Sequence, residues 1–122
     1  MGVLVVDDSK FMRNIIINIL NKNNIEVVGE ASDGIGAVVQ YEALKPDVVT
    51  MDLTMEGMNG LEAVKEIIKI DSNAHIIVCS AMGQQAIVKE AIDAGARGFV
   101  VKPFDEDNLI DEVSKALKMK GK

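Results

Sequence analysis

At 122 residues the chain has room for one domain and not for two. It is 48% hydrophobic with 3% aromatics and no Trp, so its core must be built from Val, Ile, Leu, Ala and Met. A net charge of -6 without a basic stripe argues against nucleic-acid binding, and the single Cys79 excludes an internal disulfide.

The chain opens on VLVVDDS, Val3 to Ser9, four apolar residues running into two adjacent acids. A helical pattern follows in FMRNIIINIL. Ile15, Ile16, Ile19 and Leu20 can face a core with Phe11 or Met12, which leaves Ile17 more exposed. The second β-rich run is EVVGEA, and its helix spans about Ile35 to Leu44, ending before Pro46 because proline disfavours helix at Lys45. DVVTMD is the third run, followed by a helix with Leu61, Val64, Ile67 and Ile68 on one face. HIIVCS is the fourth, with Cys79 as a small core residue and His75 as a surface residue at its start. Its helix sets Ile87, Val88, Ala91 and Ile92 on a face and stops at Gly95. GFVVK is the fifth, and the last helix carries Leu109, Ile110, Val113, Ala116 and Leu117, with the KMKGK tail as its cationic end.

The order is therefore βαβαβαβαβα, an α/β sandwich with right-handed crossovers over residues 1–122 as a single domain. The first, third, fourth and fifth runs are nearly continuously apolar, the pattern of parallel strands buried on both faces. No stretch has the length or flanks of a transmembrane helix or signal peptide, so a cytoplasmic setting without membrane insertion is expected.

In open parallel sheets, ligands gather beyond the carboxyl ends of the strands. The first strand ends in Asp7 and Asp8, the third in Asp52, the fourth in Ser80 and Ala81, the fifth in Lys102 and Pro103. Each has a plain reading alone. Asp8 or Ser9 can cap the first helix, Asp52 can form a turn, and Lys102 can be a solvated charge. Jointly, the plain readings explain poorly why four strand ends deliver polar chemistry to one edge. Clustered carboxylates raise one another's pKa, and a hard divalent cation relieves them. With a lysine and a hydroxyl beside them, the set reads as a Mg²⁺ site that handles a phosphoryl group, a carboxylate acting as nucleophile.

Other phosphate chemistries are absent. There is no P-loop, and DGIGAVV places Val39 where a third dinucleotide-binding glycine would stand. DEDN, Asp105 to Asn108, lacks the glycine of a calcium loop and reads as the acidic start of the last helix. Thr54 stands where aspartyl-nucleophile phosphatases often carry a second Asp as general acid, which argues against rapid turnover.

Asp7–Asp8, Asp52, Ser80–Ala81 and Lys102–Pro103, spaced over five βα units, resemble the receiver domain of two-component response regulators across nearly the whole chain. The resemblance implies a flavodoxin-like, CheY-like doubly wound five-stranded parallel sheet of order 2-1-3-4-5 with five helices. It implies that Asp52 is the phosphoacceptor for a histidine kinase. Asp8, Asp52 and the Thr54 backbone carbonyl would ligate Mg²⁺, with Asp7 acting mostly through water. Lys102 would pair with the phosphoryl oxygens, and Ser80 would swing in to bond them. Phe99 occupies the aromatic switch position and would turn inward behind Ser80. The Lys102–Pro103 bond would be cis. Two positions depart from the usual pattern: Glu56–Gly57 replaces a frequent proline, so that loop is expected to be more mobile, and the apolar Met82 cannot orient an attacking water.

SAMGQQAIVKEAIDAGA and KPF resemble CheY-type chemotaxis regulators most closely. That implies a stand-alone, monomeric regulator, not a conventional enzyme, acting through its fourth helix, fifth strand and fifth helix on a motility motor or adaptor. A phosphatase is a possible further partner. A phosphorelay intermediate and a small Mg²⁺-dependent phosphatase are the alternatives. Apolar excess on the first helix fits either a kinase-docking spot or a thickly buried helix.

Overall fold

The computed structural model describes residues 2–55 and 59–120. Five parallel strands, β1 (Gly2–Val6), β2 (Glu26–Ala31), β3 (Val48–Asp52), β4 (Ile76–Ala81) and β5 (Gly98–Lys102), form one sheet in the order β2-β1-β3-β4-β5. The helices α1 (Lys10–Lys22), α2 (Gly34–Leu44), α3 (Gly60–Ile70), α4 (Gln85–Ala94) and α5 (Glu106–Lys120) connect and follow them. The doubly wound sheet that the resemblance implies is the one found.

Alternation along the strands sorts the core into two layers. Leu4, Val6, Val49, Met51, Ile76 and Val78 meet α2, α3 and α4 through Ala37, Tyr41, Ala63, Val64, Ile67 and Ala91. Val3, Val5, Val48, Ile77, Cys79 and Val100 meet α1 and α5 through Ile16, Leu20, Leu109 and Val113. Each fully buried aliphatic side chain contributes about 1.5–3 kcal/mol. Burial also pushes the Cys79 thiol up to about 12, so it stays protonated as a core residue.

Helix ends follow local chemistry. Ser9, Asp33 and Asn59 cap α1, α2 and α3, each accepting from an amide of the first turn. α2 ends at Lys45 in a left-handed conformation before Pro46, and α4 ends at Gly95.

Three expectations need correction. β5 is not buried on both faces. Val100 faces α5, but Phe99 and Val101 on the other face are 50% and 39% exposed, because β5 is an edge strand that α4 leaves uncovered. His75 is buried at 7% exposure: its carbonyl accepts from Val49 N, and it lines a cleft with Arg97, Glu112 and Ala116. On α1, Met12 packs partly against the core as allowed, but so does Ile17, which was expected to be more exposed, because α1 lies against β1, β2 and α5. The exposed apolar residue there is Phe11, at 74%.

Candidate functional site

The carboxyl ends of β1, β3 and β5 bring Asp7, Asp52 and Lys102 together. Asp7 is 1% exposed and Asp52 2%, so both carboxylates leave water on folding. Such groups are tolerated only with partners. Lys102 Nζ donates to Asp7 Oδ2 at 2.8 Å and lies 3.6 Å from Asp52 Oδ1. The Lys102–Pro103 bond that turns the chain here is cis.

Each acid is also held by its own loop. Ser9 N donates to Asp7 Oδ1 at 2.9 Å. Thr54 N and Thr54 Oγ1 each donate to Asp52 Oδ1 at 3.1 Å. Gly60 supports Asp52 from behind. A Cβ at Gly60 would overlap the Asp52 carbonyl oxygen and lie 2.7 Å from Leu53 Cα, so only glycine lets the start of α3 approach the end of β3.

The electrostatics follow from this packing. Burial raises the Asp52 pKa, and the Asp7 charge adds to the rise; the Thr54 bonds and Lys102 pull the other way but do not cancel it. Burial also works against the Lys102 charge, yet the hydrogen bond it donates to Asp7 and the charges of Asp52 and Asp7 outweigh it and raise the pKa. Lys102 is therefore a firmly charged ammonium set between two carboxylates.

Asp8 is exposed at the rim. One carboxylate oxygen each from Asp7, Asp8 and Asp52 lies within 4.8 Å of the others, close enough for one metal ion. Three hard oxygen donors, one facing water, suit a cation such as Mg²⁺ that keeps several waters. So the predicted acids, Thr54 and Lys102 come together. Ser80, buried at 2% exposure, lies one residue before the end of β4, in register with Val101 of β5. Phe99 stands outward on β5, and Met82 is 78% exposed. The Glu56–Gly57 departure lies outside the described residues.

Arg13, which no motif singles out, also holds the site. Its Nη1 donates to the Asp7 carbonyl at 2.8 Å and its Nε to Glu30 Oε1 at 2.7 Å, tying the acid loop to the end of β2. A lone cation inside an apolar helix was the available signal.

The response regulator receiver domain family matches residues 3–114. The chain belongs to that family. Among receivers it is 57% identical over 116 residues to the chemotaxis protein CheY of Thermotoga maritima, covering 95% of this chain and 97% of that one. It is 53% identical over 115 residues to CheY of Bacillus subtilis, covering 94% and 96%. Among solved receivers, the CheX-CheY-BeF3-Mg²⁺ complex of Borrelia burgdorferi superposes with TM-score 0.91 at 34% identity, covering 96% of this chain and 89% of the matched chain. The chain is thus a CheY-like receiver, a two-component signalling protein and not a classical enzyme.

Proposed function

We propose that this receiver takes a phosphoryl group on Asp52 from a chemotaxis-type histidine kinase and passes the signal to a motility motor or its adaptor by phosphorylation-dependent binding. The observation that carries the reading is the buried Asp52 carboxylate, sharing Lys102 with Asp7 and within 4.8 Å of the other two acids. Asp7, Asp8, Asp52 and the Thr54 carbonyl would hold Mg²⁺, which supplies neutralisation of phosphoryl and carboxylate charge. Asp52 attacks phosphorus: an O–P bond forms, the P–N bond of the phosphohistidine breaks, and the imidazole keeps the electron pair. Lys102 holds a phosphoryl oxygen. Thr54 orients Asp52 by two hydrogen bonds. The added charge of roughly −1.5 to −2 draws the Ser80 hydroxyl and rebalances the loop that leads to Phe99. Residues 1–122 act as one receiver unit in the cytoplasm. None of the described helices is long and apolar enough to cross a membrane.

The test is intact-mass measurement after incubation with acetyl phosphate, with and without Mg²⁺, on the parent and on Asp52→Asn. The expected result is a Mg²⁺-dependent gain of one phosphoryl group, lost in the variant. No gain in the parent overturns the reading. Onward transfer to a histidine protein, without motor binding, would make the chain a relay intermediate.

A further inference from the structure

The loop between β4 and α4 contains a contact that the phosphoryl chemistry above does not use. α1, α2 and α3 are capped by side chains that bond their own first turns, and Asp105 accepts from Asn108 N at the start of α5. Gln84, at the cap position of α4, makes no capping bond. Its side chain turns back instead, and Oε1 accepts from Ala81 N at 2.6 Å.

The direction of that N–H follows from the strand. Leu53 N donates to the Cys79 carbonyl, so the Cys79 backbone groups face β3. Backbone groups of alternate residues in a strand point to the same side, so the Ala81 N–H also faces β3. Asp52 is the register partner of Cys79, which sets Ala81 just beyond Asp52 on that side. A phosphoryl group there brings three acceptor oxygens. Gln84 therefore occupies a donor that points toward the place where those oxygens would arrive. The intervening loop is lightly built: Met82 is 78% exposed, and Gly83, at φ 89, has nothing within 4 Å of a Cβ position. Such a segment exchanges partners at low cost.

We propose that Gln84 is a positioning residue: its side-chain amide oxygen latches the Ala81 N–H in the unphosphorylated protein and competes for it with a phosphoryl oxygen on Asp52. The inference rests on Asp52 as phosphoacceptor. Removing the latch frees the donor and favours the phosphorylated arrangement. A carboxylate in its place holds the N–H more strongly and repels the phosphoryl group.

The test uses the full chain, with Gln84→Ala and Gln84→Glu. In the absence of ligand, amide exchange at Ala81 should quicken roughly 2- to 10-fold in Gln84→Ala, the range for loss of one neutral hydrogen bond. Titration with beryllium trifluoride and Mg²⁺, followed at the Ala81 amide, should give roughly 2- to 10-fold tighter binding in Gln84→Ala and weaker binding in Gln84→Glu. A merely structural glutamine would weaken binding in both. Unchanged Ala81 exchange, or weakening in both variants with a binding-competent parent, overturns the latch alone. A parent that binds no beryllium trifluoride overturns the Asp52 reading and the latch with it.

Discussion

The loops after β1 and β4 lie at the same edge of one sheet and are built in opposite ways. After β1, Asp7 is 1% exposed; its carboxylate holds Ser9 N and Lys102, and its carbonyl holds Arg13. After β4, Met82 is 78% exposed, α4 lacks a side-chain cap, and Phe99 on the neighbouring strand is 50% exposed. Ser80, Met82, Gln84, Val88, Phe99 and Val101 line an open cavity of about 430 Å³ there. Groups that handle a reacting phosphorus must be fixed in advance. An element that reports the reaction needs two arrangements close in energy. On the proposed function, one loop tied down and the other thinly packed would meet both demands.

Breaking the tight side should have the largest effect. Lys102→Met leaves Asp7 and Asp52 buried without their cation and should cost about 3 kcal/mol in urea unfolding without metal. Mg²⁺ should restore more stability to that variant than to the parent. The Lys102 contribution is present below 10.5, its ordinary pKa, and is lost as pH rises through the higher folded value. A loss below about 1 kcal/mol would mean that water already screens the acids, and the contrast between the loops would fall. Ser9→Ala removes the α1 cap and should cost about 1 kcal/mol by the same measurement.

Asp52→Asn should move stability the other way, by less. Its folded pKa lies above 3.8, so the ionised carboxylate destabilises the metal-free protein as pH rises through the folded value. The variant should therefore be more stable than the parent near neutral pH, with the gain gone below 3.8. A gain that persists in acid would put the cause elsewhere. On the loose side, Met82→Gln should stay within about 0.5 kcal/mol of the parent in thermal unfolding. A larger loss would show that the β4–α4 loop is more firmly packed than its exposure indicates.

Most of the fold was legible because parallel strands buried on two faces and amphipathic helices leave different periods in the sequence. The convergence of the acids and Lys102 was legible because strand ends in such a sheet share one edge. What escaped depends on contacts distant in sequence. GFVVK reads as fully buried, yet its edge position leaves Phe99 and Val101 open. His75 reads as surface until α5 folds over it, as Glu112 and Ala116 beside it attest. Arg13 acts through a backbone carbonyl, and Gln84 through a backbone amide, and neither target has a side-chain signature.

The bond between Lys102 and Asp7 joins residues 95 apart in the chain. Contacts of that span close late, after the crossovers between them have formed. During synthesis, the acids of β1 and β3 emerge well before the ammonium that neutralises them. A nascent or partly folded chain thus carries mutually repelling carboxylates without their lysine. On the proposed function, competence to accept a phosphoryl group would coincide with completion of β5, and the signal would be confined to finished molecules.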